Sequence, residues 1–122
     1  MRNDVHMDMK PDPVEFERGE QDSRAAMACG SPQLFWQTRS SWGVLMTELM
    51  STRFNVTVTH ISDMTTHALD SYREGYNRVT RSYVDETFGV GSFQGVLDEV
   101  MRFRLDQRDR YLRSQAEEAD EP

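Results

Sequence analysis

Disulfides, membrane spans and the common catalytic signatures are all missing from this 122-residue chain. Its one cysteine, Cys29, cannot form an internal bridge. In the stretch Ala28-Cys29-Gly30-Ser31 it reads as an incidental reduced thiol, with crosslinking between chains as the alternative. No run of about eighteen apolar residues occurs, which excludes a transmembrane helix. The first residues lack the apolar core of a signal peptide, so the cytoplasm is the expected compartment. There is no G-x-S-x-G elbow, no G-x-x-x-x-G-K-S/T phosphate loop, no H-E-x-x-H zinc motif and no G-x-G-x-x-G after a strand. These absences argue against an enzyme, and neither a cofactor nor a metal is expected.

Lysine is nearly absent as well. Lys10 stands alone, so thirteen arginines supply the remaining cations. Residues 1–31 hold seven acidic and four basic side chains, residues 115–122 hold four acidic and none basic, and the ten of each sign between them cancel. The formal net charge of −7 therefore sits at the two ends. Ends that repel one another favour solubility and spacing over folding. Without a basic patch no nucleic-acid partner is expected, because neutralisation of phosphates by Lys and Arg supplies most non-specific affinity. Arg102, Arg104, Arg108, Arg110 and Arg113 are nearly balanced by Asp98, Glu99, Asp106 and Asp109. They read as a solvated, salt-bridged helix face, with an anion-binding strip as the alternative.

Residues 1–30 mix Asp, Glu, Pro and Gly with few large apolar residues, a composition expected to form a disordered acidic tail. Ser31-Pro32 reads as a helix start, serine as cap and proline at the first position. From Gln33 to Phe88 there is no proline, and the only glycines are Gly43 and Gly75. An apolar stripe passes through Trp42, Leu49, Phe54, Val58, Ile61, Leu69, Tyr72, Tyr76, Val79 and Tyr83, mostly by threes and fours. Met50, Ile61, Tyr72 and Tyr83 also recur every eleven residues, a period that keeps an apolar face straight along a long helix. One long helix, or two joined by a bend, is predicted. The segment Phe54 to Ile61 alternates apolar and polar residues and would be a strand by itself; helix is preferred because no turn signal flanks it and no second strand is evident.

Gly89-Val90-Gly91 marks the end of one helix and the start of another. The segment from Ser92 to Leu112 then reads as an amphipathic helix capped by Ser92, with Phe93, Val96, Leu97, Val100, Met101 and Leu105 on one face. Its order of serine, apolar residue, Gln94, Val96-Leu97 and an acidic residue, followed by Phe103, Gln107 and Tyr111, resembles the helix that closes the phasin domain. The resemblance is densest over residues 84–115; Gly95 and Arg108 depart from the family pattern. Phasins are small bacterial helical proteins that coat polyhydroxyalkanoate granules. The resemblance implies a helical phasin-like domain over residues 31–114, followed by an acidic tail over 115–122.

His60, Asp63 and His67 are spaced to share one helical face, yet nothing else in the chain completes a metal site, and polar surface residues are the preferred reading. His6 with Met7 and Met9 in the tail carries no more. Eight methionines are many for this length; Met46, Met50, Met64 and Met101 read as core filling or as an adaptable contact face. The expectation is an all-α protein: a long amphipathic helix followed by a shorter C-terminal one, in a coiled-coil-like homo-oligomer. The residues expected at the surface or partner contact are Phe93, Val96, Leu97, Val100, Met101, Phe103 and Tyr111, with Trp42, Phe54, Ile61 and Tyr72 along the first helix. The function implied by the resemblance is a non-enzymatic coat on a polyhydroxyalkanoate granule surface. The alternative is a helical oligomeric interaction or regulatory protein that binds no polymer.

Overall fold

A computed structural model describes residues 10–120. Within them the chain is predominantly helical, with four helices and one small sheet, in the order α1 (Pro13–Ala28), β1 (Gln33–Trp36), α2 (Ser41–Phe54), β2 (Thr57–His60), α3 (His67–Phe88) and α4 (Ser92–Asp120). The expectation of one long helix, or two, over residues 33–88 is corrected here. That stretch holds two helices and two parallel strands, with Gln33 opposite Thr57 and Trp36 opposite His60. The helix preference over 54–61 failed because its stop signal was overlooked. Asn55 adopts the left-handed conformation (φ 56°), and the N–H groups of Asn55 and Val56 close back on the Met50 and Ser51 carbonyls. Asparagine tolerates that conformation better than most residues, so it ends α2 as glycine often does. β1 is the missing partner strand. Pro32 opens it and accepts the Thr57 N–H at 3.1 Å instead of starting a helix.

The tail expected over residues 1–30 is also corrected over its described part. Pro13–Ala28 is a helix. The Asp12 carboxylate accepts the N–H groups of Val14 and Glu15 at 3.0 and 3.3 Å, and Pro13 follows at the first helical position. Low apolar content did not prevent packing, because α1 meets α3 through small residues. A Cβ built at Gly19 would lie 2.0 Å from the Tyr72 carbonyl oxygen, and one at Gly75 would lie 2.0 Å from that of Phe16. The two backbones touch where side chains would otherwise hold them apart. Ser23 and Thr80 share a hydrogen bond of 3.0 Å beside this crossing, both buried. Residues 1–9, with His6, Met7 and Met9, and residues 121–122 lie outside the described residues.

α3 also completes the sheet. Asn77 donates to the Phe35 carbonyl at 2.8 Å and accepts the Phe35 N–H at 2.9 Å, and Thr80 donates to the Gln33 carbonyl at 2.7 Å. Side chains three residues apart on one helix face thus take the place of a third strand along the outer edge of β1. The apolar core lies on the other side. It joins Leu34, Met46, Met50, Phe54, Val56, Val84, Phe93, Val96 and Val100, so the first turns of α4 are core.

α3 and α4 are divided at Gly89-Val90-Gly91 as expected, with φ of 117° and 88° at the two glycines. The capping residue differs. Ser92 is the first helical residue, and the carboxylate that accepts the Phe93 N–H, at 3.0 Å, belongs to Asp85.

The glycines of this fold divide sharply by surroundings. Gly19→Ala or Gly75→Ala is expected to destabilise the protein by several kcal/mol at least, since the added methyl meets backbone. Gly95→Ala has open space at its Cβ and is expected to stabilise α4 by about 0.5–1 kcal/mol. Thermal or urea unfolding of the three variants checks both directions.

Candidate interaction surface

α4 has 29 residues and two different environments along its length. Phe93 and Val96 are essentially inaccessible and Val100 is buried. From Arg104 to Ala119 every residue is exposed, sixteen in a row. At 1.5 Å per residue this outer half extends about 24 Å. It contains no glycine or proline, and Asp106–Arg110, Asp109–Arg113 and Arg113–Glu117 fall at the four-residue spacing of helix-stabilising pairs. Leu105, Tyr111 and Leu112 on it, and Met101 just before it, are 48, 63, 51 and 49 % exposed.

The inner and outer halves meet at a groove of about 400 Å³, lined by Trp36, Trp42, Leu97, Met101 and Arg104 among others. Several contacts fix its walls. The Arg104 guanidinium sits 4.9 Å above the centre of the Trp42 ring, and the Trp36 indole meets Phe93 edge-on at 6.2 Å. One turn beyond Arg104, the Ser41 hydroxyl donates to the Gln107 side-chain oxygen at 2.7 Å, tying α4 to the start of α2. On α2's opposite end Arg53 forms a two-pronged pair with Glu99. Its hydrogen bonds hold the Glu99 carboxyl below the usual carboxylate range. Bidentate guanidinium–carboxylate contacts are the geometrically specific kind, so α4 is held to α2 at two points, Glu99 in its inner half and Gln107 at the start of its outer half.

The expected contact residues fall into separate places. Trp42, Leu97 and Met101 are brought together in the groove. Tyr111 stands on the outer half, and Phe103 is half-buried between. Phe54, Phe93, Val96 and Val100 are corrected: they are buried in this chain's own core and are closed to a partner. Ile61 follows β2 and donates its N–H to Trp36 at 3.1 Å. Tyr72 faces α1, where its hydroxyl donates to Asp22 at 2.6 Å. Sequence reasoning passed over Arg104 and Leu112 as contact residues. The available signal was their place beyond Val100, where the apolar residues thin to a stripe too narrow to face a core.

In two further cavities several of the polar atoms are committed within the chain. One of about 380 Å³ is lined by His67, Asp70, Ser71 and Glu74, the residue types of a hydrolytic centre. Its Ser71 hydroxyl accepts the Asp12 N–H at 2.8 Å and donates to the His67 carbonyl at 2.9 Å, which makes it a splice between α1 and α3. Another, of about 550 Å³, is lined by Asn77, Arg78, Arg81 and Asp85. There Asn77 serves β1, Arg78 pairs with Glu20, Arg81 lies 4.7 Å over Phe93, and Asp85 caps α4.

The three residues considered as metal ligands do not share a helix. His60 ends β2, where its Nδ1 accepts the Thr38 N–H at 3.2 Å; Asp63 accepts from Gln37 at 2.9 Å in the following loop; His67 opens α3. Among the described residues no helix is long and apolar enough to cross a membrane. The chain matches no protein-family model, no curated protein and no solved structure.

Burial first, and then the bond to Asp22, push the Tyr72 phenol up to about 12; burial also raises Tyr76, with the Asp22 charge second. The folded protein therefore prefers the protonated phenols. The stability this contributes is complete below about pH 10, the unfolded value, and is lost as the pH rises toward 12. Thermal midpoints should fall across that interval. In Tyr72→Phe the fall should be shallower, the remainder belonging to Tyr76.

Proposed function

We propose that this protein is a non-enzymatic, self-associating interaction protein whose contact surface is the outer half of α4 with the groove at its base. The observation that carries this is the run of sixteen exposed helical residues bearing Leu105, Tyr111 and Leu112, with Met101 exposed just before it. The groove supplies the residue types that dominate binding energy, two tryptophans and an arginine, beside a methionine that adapts to an irregular partner. The Ser71 hydroxyl beside His67 is spent on joining α1 to α3, which supports the non-enzymatic reading.

A polymer granule surface is the second reading, favoured by the same exposed stripe. A helix with apolar residues on one face and arginines beside them suits an interface between an apolar phase and water. Of the residues that carry the phasin resemblance, Phe93 and Val96 belong to the core. A granule contact would therefore rest on Met101, Leu105, Tyr111 and Leu112, and it stands second to association between proteins.

Leu105→Asp together with Leu112→Asp tests the surface. Both residues are half-exposed and outside the core, so the circular-dichroism spectrum and the folding midpoint should stay near those of the parent. Association measured by sedimentation velocity should be lost, because each carboxylate would have to be desolvated in an apolar contact. A double variant that associates like the parent would remove the outer half of α4 from the account. Co-sedimentation of the parent with purified polyhydroxyalkanoate granules separates the two readings, since only the second requires it.

A further inference from the structure

We infer that two copies of this chain pair through the outer halves of α4, antiparallel and centred on Tyr111. The inference rests on the reading of α4 as the contact surface and adds the partner, its direction and its register.

The seam comes from spacing. Met101, Leu105, Arg108, Leu112, Gln115 and Ala119 alternate by four and three residues, which is the rhythm of a two-helix seam. Leu105 and Leu112 form its apolar centre. The stem of Arg108 lies along that centre and its charged tip reaches water.

Direction comes from charge. Residues 101–113 carry five arginines and two aspartates, for a net of +3, and residues 114–119 carry two glutamates and no base, for −2. A parallel pair sets like charge on like along the whole contact. An antiparallel pair sets each basic stretch on the other copy's acidic end. The second end has a further need for this. Glu117 and Glu118 lie in the last turns of α4, where the helix dipole already presents partial negative charge; the last turn holds no basic residue, and only Arg113, one turn before Glu117, is near. Arginines from a second, reversed copy answer both.

Register follows from matching the flanks. With the two-fold axis at Tyr111, Arg104 lies level with Glu118 of the second copy, Asp109 level with Arg113 of the second copy, and Tyr111 level with itself. At about 100° per residue, Arg104, Tyr111 and Glu118 run along one side of the seam, while Asp109 and Arg113 run along the other. Every charged pair so formed is of opposite sign, and symmetry makes each of them twice. The end of each helix then arrives beside Met101 and Arg104 of the other copy, at the mouth of the groove lined by Trp36 and Trp42. The interface is isologous and closed, giving a dimer and no filament.

Site-directed crosslinking of the full chain tests direction and register together, in a Cys29→Ser background because Cys29 is exposed. Under mild oxidation Tyr111→Cys alone should form a covalent dimer. Arg104→Cys alone and Glu118→Cys alone should stay uncrosslinked, and an equimolar mixture of those two should crosslink. Charge reversal gives an independent reading. Arg104→Glu or Glu118→Arg should each weaken dimerisation about tenfold, since two symmetric pairs become repulsive, and the two changes together should restore it.

Self-crosslinking of Arg104→Cys as efficient as that of Tyr111→Cys would establish a parallel pair and overturn the inference while leaving α4 as the contact surface. A mixture that fails to crosslink although Leu105 and Leu112 remain essential to association would overturn the register in the same way. A parent chain that stays monomeric at several hundred micromolar would overturn both the pairing and the reading beneath it.

Discussion

Two short parallel strands cannot stand as a sheet, and that constraint organises the molecule. A parallel pair needs cover on its faces and partners for its edge groups. α2 supplies the crossover and one face. α3 supplies the edge, through Asn77 on Phe35 and Thr80 on Gln33. To reach those positions α3 must lie close to β1, and α1 then covers its far side at the Gly19–Gly75 crossing, with Ser23 bonded to the same Thr80. One hydroxyl therefore links α1, α3 and β1. A side chain added at either glycine would push α1 off and strain the bond between Ser23 and Thr80, and with it the position of α3 against the strand.

The core on the other side of the sheet explains why α4 is divided. Its first turns must carry Phe93, Val96 and Val100 inward to close over Leu34, Met46 and Met50. The body ends before the helix does. Beyond Phe103 the same amphipathic chain continues exposed, meeting the body through Arg104 on Trp42 and Gln107 on Ser41. The ties of Glu99 to Arg53 and of Gln107 to Ser41 give the outer half a defined direction. A contact surface presented on a rigid element loses less freedom on binding than one on a loose tail.

How much of this could be read from the residues varies by element. The predominance of helix and the break at Gly89-Val90-Gly91 were legible, because period and glycine pairs are local signals. The sheet was not. Each strand is four residues long, and the alternation from Phe54 to Ile61 was visible without its partner, which lay behind Pro32 and looked like the start of a helix. Asn55 held the missing stop signal as a single left-handed residue. α1 was hidden for a different reason: its packing uses Gly19 and Ser23 against Ser71 and Gly75, a small-residue spacing of four on both helices that carries almost no hydrophobicity. At the contact surface, the stripe of α4 was read as one face. Only the depth of the core separates Val100, which is inside, from Leu105, which is outside.

The central claim is that residues 104–119 are covered by a second copy in solution. Hydrogen–deuterium exchange on the full chain across a concentration series tests it directly. The account predicts that amides of the outer half of α4 become protected as concentration rises, while those of α3 are protected throughout. Exchange in residues 104–119 that is independent of concentration, up to several hundred micromolar, would contradict it.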